Sequence, residues 1–575
     1  MNSNKSHLVY LILIIGAIAS LIYIPLIGNS PLFDWDEINF AECAREMIIT
    51  GDYSTVQINY QPFWEKPPMF IWFQALSMKI FGINEFGARF PNALNGVLTL
   101  ISLFLIGTKL QNKKFGITWA LLYAGTILPT LYFKSGVIDP WFNFFIFLGI
   151  SFFVLSFNEI KYSKLRYIVL SALAIGLAVL TKGPAAILIS GITIFLFIIL
   201  SKNLQVYLKG YFYIFIALVV LTSISWFGWI YFTGKSFIIE QFIEYQIRLF
   251  KTEDSGHSGP IFYHLLVLLL GCFPASILFI MFYKKPEYLD DKIKIYRTAM
   301  LILFWVVLVI FSLVKTKIVH YSSLCYYPLT FIVALGITNV DFQERFKTFA
   351  RISIVLIGVL ISLALTAFAF LPIFKQQLLD GNLIQDDFAK LNLEVNLINH
   401  GYEWIVPFLF IASITIIFIA LKSNNYNKLV IGFVMQIAFI ISAINIFVPK
   451  AELISQRTAI CFYKEMAKHD FYVETNNFKS YAYIFYADRK PHHHESPLFK
   501  DFLEYFYSKQ DKDAFKLNYY ATAHSYWMKI GKIDKPAFIV NKTTNDKQME
   551  EFPEMKKCYS MNGFSFYVRM PTHDK

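Results

Sequence analysis

The sequence predicts a polytopic α-helical membrane protein with about 13 transmembrane helices, interfacial helices in its first external loop and a small α/β external domain at its C-terminus. Of its 575 residues, 56% are hydrophobic and only 16% are charged, whereas soluble domains contain about a quarter charged residues. Apolar stretches long enough to cross a bilayer recur along most of the chain. Lys and Arg, moreover, concentrate in every second loop between these stretches.

The predicted transmembrane helices are apolar segments of bilayer length, most of them bounded by Lys, Arg, Pro or Asn. The first segment lacks a small-residue cleavage site, so we interpret it as a retained anchor and not as a signal peptide. The segments are roughly residues 8–27, 91–109, 115–133, 138–157, 165–181, 184–201, 209–233, 260–283, 297–314, 321–338, 349–371, 403–421 and 427–448.

The distribution of basic residues predicts the orientation of these helices. The loops on one side carry 19 Lys or Arg, counting Lys5, whereas the short loops on the other side carry four. Basic loops stay in the cytoplasm, so the N-terminus is predicted to be cytoplasmic. The loops 28–90, 234–259 and 372–402 and the tail after 449 are then external. The net charge of +12 follows mostly from this topology, and no nucleic-acid partner is expected.

Two domains follow from this pattern. Residues 1–448 form a membrane domain, in which the external loop 28–90 carries interfacial helices such as 65–82, an apolar segment flanked by charges. Residues 449–575 form an external soluble domain, in which 480–487, 536–541 and 558–569 are predicted as short strands, the last with an Asn-Gly hairpin. The histidines at 492–494 favour a solvated loop over a metal site.

The stretch DWDEINFAECARE at 34–46 concentrates five carboxylates directly after the first apolar segment. Asp34 and Glu37 match the pattern of residues that begin a helix, and Thr50-Gly51 matches a helix end. Glu42 and Glu46 are predicted to face water. Asp36 remains without a structural explanation, at the membrane surface in the first turn, and is therefore the candidate for chemistry.

Ionisable residues from six external loops all lie close to predicted membrane boundaries. Such a ring of both signs suits a charged lipid head group, because cations neutralise a phosphate while a carboxylate can act as a base. No nucleotide-binding fingerprint is visible, so no nucleotide cofactor is expected. The ring consists of Asp36, Glu37, Glu65, Lys66, Lys134, Asp139, Lys182, Arg248, His257, His264, Lys315, Lys317 and His320.

Several of these residues lie in motifs that resemble a known family. The motifs are DEINFAECAREM, WEKPPMFIW and FGINEFGARFPNA in the first loop, then IDPW at 138–141, LTKGP at 180–184 and KTKIVHY at 315–321. Over roughly residues 30–340 the chain resembles the lipid A aminoarabinose transferase and protein O-mannosyltransferase group. These are GT-C glycosyltransferases that use polyprenyl-phosphate sugars, which implies a bacterial inner membrane protein with its active face in the periplasm.

The resemblance also implies roles for individual residues. Asp36 and Asp139 are the implied catalytic aspartates, with Asp36 as general base, and Glu65 with His257 resembles a pair that could bind a divalent ion such as Zn, Mg or Mn. The implied substrate-binding residues, several of them at phosphate-contacting positions, are Glu37, Lys66, Lys182, Arg248, Lys315, Lys317, His320 and Tyr321. Asn39 and Phe63 depart from many relatives, which carry Arg and an aromatic hydroxyl at these positions.

These expectations predict an inverting transfer of sugar from a polyprenyl-phosphate donor to lipid A or another envelope glycolipid. A protein O-glycosyltransferase of the same fold is the alternative acceptor class. A transporter or flippase for lipid-linked sugars is the alternative of another class, but it would place ionisable residues near the middle of the spans. The oligomeric state is left open by the sequence.

Overall fold

The computed structural model describes residues 2–157, 161–201, 210–251, 259–284, 289–339, 344–381, 383–509 and 519–571. Helices dominate this part of the chain. In chain order, α1 to α25 are Asn2–Tyr23, Asp36–Thr50, Met69–Phe81, Glu85–Leu110, Lys113–Ala124, Ile127–Phe133, Asp139–Ser156, Lys161–Lys182, Ala185–Leu200, Gly210–Phe232, Ser236–Lys251, Tyr263–Gly271, Ala275–Phe282, Asp291–Leu313, Tyr326–Asn339, Glu344–Ala369, Leu371–Asp380, Asp387–Leu393, Ile405–Ser423, Tyr426–Ser455, Arg457–Met466, Ala482–Tyr486, His492–Glu495, Pro497–Lys509 and Tyr519–Ile530.

The predicted membrane architecture is confirmed. Among the described residues, ten helices are long and apolar enough to cross a membrane, counting Val319–Asn339 as one of them. Two further apolar pairs, α5 with α6 and α12 with α13, are bent by 76° and 109°. The remaining predicted span is α9, a shorter apolar helix of 16 residues.

The first external loop folds into two helices joined by a short hairpin. Helix α2 ends at Thr50, and the next residue, Gly51, has a left-handed φ of 73° and donates its N–H to the carbonyl of Met47, as the Thr50-Gly51 pattern predicts. Helix α3 lies within the segment 65–82 that was predicted as an interfacial helix. Between them, strands β1 (Gln57–Ile58) and β2 (Gln61–Pro62) pair in antiparallel fashion.

The predicted helix start of α2 is only partly observed. The helix begins at Asp36 after Trp35, and no side chain caps it. Glu37 does accept a hydrogen bond from the backbone N–H of Phe33, but Asp34 accepts from Trp35 and from the distant Tyr481. Asp34 therefore fastens the loop to the C-terminal region instead of capping the helix.

The C-terminal region contains a four-stranded mixed sheet. Strands β3 (Tyr472–Asn476), β4 (Ala537–Lys542), β5 (Lys556–Met561) and β6 (Phe564–Arg569) are arranged in the order β3-β4-β6-β5, with β3 and β4 parallel and the other pairs antiparallel. The Asn562-Gly563 hairpin is confirmed, since both residues have positive φ. The strand predicted at 480–487 is wrong, because these residues form helix α22.

A shared hydrophobic cluster joins the first external loop to the C-terminal region. It contains Ile38 and Ala44 of α2 together with Tyr463, Ile484 and Phe566. A separate, larger cluster fills the space between the transmembrane helices. Helix α2 is thus covered on the outside by the C-terminal region, and this packing decides which of its side chains contact water.

Candidate active site

A cavity of about 1280 Å³ lies where the first external loop, the ends of several transmembrane helices and the C-terminal region meet. Its lining includes residues from α2, α11 and α20 and from the segment 479–484. Nine predicted residues contribute to the lining: Asp36, Glu37, Glu65, Lys66, Lys134, Lys182, Arg248, His320 and Tyr321. The topology thus brings residues almost 300 positions apart into one cavity.

His320 lies between two carboxylates at the centre of this group. Its Nε2 is 3.6 Å from Oδ2 of Asp36 and 3.5 Å from Oδ2 of Asp139. The two aspartates differ in their surroundings, because the Asp36 side chain is 46% exposed whereas that of Asp139 is 3% exposed. Asp36 is therefore the carboxylate that a substrate in the cavity can reach.

Asp139 begins α7 and pairs with the ammonium of Lys182 at the end of α8, at 2.6 Å. A buried carboxylate is costly without such a partner, so the pair explains why Asp139 can lie behind the cavity wall. The Lys182 ammonium also lies 5.0 Å from the centre of the Tyr321 ring. Asp139 thus holds Lys182 in place beside the lining residue Tyr321.

A second positive group surrounds Tyr245, a residue that the sequence did not single out. The Lys66 ammonium lies 5.2 Å and the Arg248 guanidinium carbon 5.4 Å from the centre of its ring. The Tyr245 hydroxyl donates to Oε2 of Glu65 at 3.1 Å. Its position on α11, three residues before Arg248, puts both on one helix face and is the signal that could have identified it.

Lys66 has an unusual electrostatic environment. Burial lowers the pKa of its ammonium, while the neighbouring Glu65 carboxylate opposes that shift. Water screens a partly buried cation less than an exposed one, so the attraction between such a cation and an approaching anion is stronger. Lys66 and Arg248 together form the part of the cavity best suited to a phosphate.

Glu37 lines the cavity but is engaged in holding the loop. Its carboxylate pairs with Arg89 at 2.7 Å and accepts from the backbone N–H of Phe33 and of Gly136. Arg89 in turn donates to the carbonyls of Ile27, Ser30 and Pro31. Burial alone would raise the pKa of Glu37, but Arg89 and these hydrogen bonds lower it.

Lys315 and Lys317 lie outside the lining of the cavity. The Lys317 ammonium donates to the carbonyls of Phe311, Ser312 and Val314 at 2.6 to 3.0 Å, where α14 ends. Lys315 is exposed. Cations at a helix C-terminus satisfy its unpaired carbonyls, so Lys317 has a structural role in this conformation.

The prediction that Glu42 and Glu46 face water is wrong. Both are fully buried under the C-terminal region, and Arg45 donates to both carboxylate oxygens of Glu42 at 2.6 and 2.7 Å. Burial and the neighbouring Glu42 raise the pKa of Glu46 well above its usual range. Arg45 also contacts Asp488 and the carbonyl of Arg489, so this group binds α2 to the C-terminal region.

Of the predicted metal pair, Glu65 lines the cavity and His257 lies outside the described residues. A second group of metal-type ligands lies in the C-terminal region, where Asp470, His492 and His493 place one atom each within 4.8 Å of one another. Asp470 also contacts the Lys535 ammonium, which already balances its charge. The prediction of a solvated loop is wrong for His493, which is buried in α23.

Comparisons with known proteins extend these observations. Residues 65–229 match the family described as dolichyl-phosphate-mannose-protein mannosyltransferase. Two curated relatives are named undecaprenyl phosphate-alpha-4-amino-4-deoxy-L-arabinose arabinosyl transferase. The one from Shewanella sediminis is 28% identical over 57% of this chain and 59% of its own length, and the one from Wigglesworthia glossinidia brevipalpis is 25% identical over 60% and 62%. The chain therefore spans about three fifths of the length of these relatives.

Among solved structures, ArnT from Cupriavidus metallidurans bound to undecaprenyl phosphate superposes with a TM-score of 0.75 over 97% of both chains, at 16% identity. Its apo state gives the same TM-score. At this identity the likeness establishes the fold. Together with the sequence matches it confirms the resemblance: the chain is similar to the aminoarabinose transferase and protein mannosyltransferase group and has the GT-C fold.

Proposed function

We propose that the protein is a membrane glycosyltransferase that moves a sugar from a polyprenyl-phosphate donor to lipid A or another envelope glycolipid. The observation that carries this proposal is the half-exposed Asp36 in one cavity with the half-buried Lys66. The names of the curated relatives support the donor class. The basic loops support a bacterial inner membrane location with the cavity on the periplasmic side.

The donor phosphate binds at Lys66 and Arg248, which both lie beside the Tyr245 ring. During transfer the bond between the anomeric carbon and the phosphate oxygen breaks, and negative charge grows on the phosphate. Positively charged donors fixed in advance stabilise that charge, and removing one such donor commonly costs about 3 kcal/mol of transition-state stabilisation. Lys182, held by Asp139, adds a third cation at the lining.

The acceptor hydroxyl gives its proton to Asp36 while the hydroxyl oxygen forms a bond to the anomeric carbon. His320, 3.6 Å from Asp36, orients the carboxylate. A retaining route would need Asp139 to attack the sugar as a nucleophile. Asp139 is buried and paired with Lys182, so we propose direct displacement with inversion of the anomeric centre.

A divalent ion is a further part of this proposal. The Glu65 carboxylate suits a hard cation and lines the cavity, and His257 would supply the second ligand. Such an ion would supply positive charge at the donor phosphate. We expect dialysis against a chelator to weaken donor binding in the wild type and to have no further effect in Glu65→Gln.

A transfer assay tests the proposed function. The purified full-length protein in lipid nanodiscs is supplied with undecaprenyl phosphate-linked 4-amino-4-deoxy-L-arabinose and lipid A, and the products are identified by mass spectrometry. We expect the mass of one sugar to be added to lipid A, with an inverted anomeric linkage by NMR. Absence of transfer to lipid A and to any envelope glycolipid tested would overturn the proposal.

A protein hydroxyl is the second candidate acceptor, because the family that matches residues 65–229 is described as a protein mannosyltransferase. The two functions share the donor site and differ only in the acceptor. Glycoproteomics of a deletion strain distinguishes them, since loss of one sugar from envelope proteins with unchanged lipid A would favour the protein acceptor.

A further inference from the structure

Trp35, the residue directly before Asp36, has an unusual backbone conformation. Its φ is 76° and its ψ is −123°, a combination that bulky side chains rarely adopt. Its indole lines the cavity and is 45% exposed. Strained residues that expose a large aromatic ring at a site are candidates for a role in ligand binding.

The surrounding hydrogen bonds fix this conformation. Oδ1 of Asp34 accepts from the backbone N–H of Trp35 at 2.9 Å and from that of Tyr481 at 3.0 Å. The Gln456 side chain accepts from the N–H of Asp34 and donates to the carbonyl of Leu32. The C-terminal region therefore holds the segment directly before Trp35, and Asp34 in turn holds the Trp35 backbone N–H.

The same hydrogen bonds bring a cation to the indole. The Lys479 ammonium lies 5.1 Å from the centre of the Trp35 ring and 5.6 Å from that of Tyr481, and all three residues line the cavity. We call Trp35, Lys479 and Tyr481 the aromatic platform. It is built from residues about 440 positions apart, and it adjoins the candidate base Asp36 through a peptide bond.

We propose that the aromatic platform is the acceptor subsite and that it binds an anionic sugar, such as the phosphorylated head group of a glycolipid. Flat aromatic rings bind the apolar face of a pyranose, and an ammonium beside them binds an attached phosphate. The cations around Tyr245 serve the donor phosphate, so Lys479 provides a separate positive charge for the acceptor. A neutral protein hydroxyl would have no use for that charge.

This inference rests on the proposed function, and it assigns the C-terminal region a part in choosing the acceptor. The region supplies Lys479 and Tyr481 directly and holds Trp35 through Asp34. Sugar bound on the platform would place one of its hydroxyls at Asp36, the next residue in the chain. The C-terminal region thereby becomes a specificity element of the transferase.

Substitutions of Trp35 and Lys479 test the platform. Trp35→Gly removes the ring and leaves a residue that tolerates positive φ, so the backbone should keep its course. Lys479→Gln removes the charge, and Lys479→Arg restores it. A matched control is Lys464→Gln, which removes another C-terminal lysine that lies 4.8 Å over an aromatic ring, that of Tyr486, outside the cavity lining.

The assay uses full-length protein in nanodiscs, undecaprenyl phosphate-linked 4-amino-4-deoxy-L-arabinose as donor, and lipid A with and without its phosphates as acceptor. We expect Trp35→Gly and Lys479→Gln each to raise the acceptor KM about tenfold, which is the loss of one good charge-assisted or aromatic contact. Lys479→Gln should also abolish the preference for phosphorylated lipid A. The donor KM and the thermal stability of both variants should stay near the wild-type values. Lys479→Arg and Lys464→Gln should keep a wild-type acceptor KM.

The possible failures are distinguishable. Wild-type protein that transfers no sugar to any acceptor contradicts the proposed function itself. Wild-type protein that glycosylates lipid A while both variants keep their acceptor KM overturns the platform alone. A loss of thermal stability with unchanged acceptor KM would make the Lys479–Trp35 contact a structural clamp, and transfer to a peptide but not to lipid A would refute the anionic acceptor.

Discussion

Replacing Glu37 with Gln separates a structural role from a substrate-binding role at the centre of the first external loop. In the wild type the carboxylate accepts two hydrogen bonds from Arg89 and one each from the backbone of Phe33 and Gly136. Gln removes the charge and leaves the Arg89 guanidinium buried without its counterion. Breaking a buried ion pair in this way costs about 3 to 5 kcal/mol.

The expected result is a large fall in thermal stability. It is measured in detergent as the temperature at which half of the protein has aggregated. Arg89→Met should destabilise to a similar extent, because it leaves the Glu37 charge without its partner. The double variant Glu37→Met with Arg89→Met should recover part of the loss, since replacing both members of a buried pair removes both desolvation penalties. Normal stability of Glu37→Gln combined with loss of donor binding would refute the structural role and favour direct contact with substrate.

Three further predictions concern single side chains of the same region. Glu46→Gln should maintain or raise stability at neutral pH. Because the pKa of Glu46 is raised, its contribution to stability is present at low pH and declines as pH rises toward that pKa. Glu42→Gln should instead destabilise the protein by removing the partner of Arg45, and melting curves from pH 5 to 8 measure both variants. The rate of transfer should begin to fall at a lower pH than an ordinary lysine pKa of about 10.4 would give, because burial lowers the pKa of Lys66. In a pH–rate profile, Lys66→Arg should move this alkaline fall in rate to higher pH. Lys317→Met should lower thermal stability with little change in donor KM, since its ammonium bonds the end of α14; a large rise in KM would instead support phosphate contact.

The sequence was sufficient to predict the membrane architecture and many of the charged residues that line the cavity. Apolar length predicts the spans and basic loops predict their orientation, so residues at span ends on one side are expected to lie at one level. The sequence alone therefore groups Asp139, Lys182 and His320. The family motifs added roles that composition alone does not contain.

The parts that could not be predicted depend on packing between distant segments. Glu42 and Glu46 read as a solvated helix face, and they are buried because the C-terminal region covers α2. The segment 480–487 is too short and too apolar for periodicity to distinguish strand from helix. Lys317 was assigned by its position, but its flexible side chain reaches back to the end of the preceding helix, α14.

The association of Trp35 with Lys479 shows the same dependence on tertiary structure. Neither residue belongs to a motif, and an exposed tryptophan beside an acidic cluster carries no sequence signal of its own. The backbone N–H groups of Trp35 and Tyr481 both donate to Asp34, which brings the two segments, and with them the indole and the ammonium, together. Sites built from two regions of a chain are found in structure and not in local pattern.

The most direct test of the central claim, that Asp36 accepts the proton of the acceptor hydroxyl, is the single-turnover rate of sugar transfer by Asp36→Asn. A positioned general base contributes about a hundredfold to ten-thousandfold, so the rate should fall within that range while donor binding stays unchanged. Asp139→Asn, measured alongside, should weaken donor binding by releasing Lys182. Near-normal transfer by Asp36→Asn, or loss of donor binding without loss of the chemical step, would contradict the assignment of Asp36 as the base.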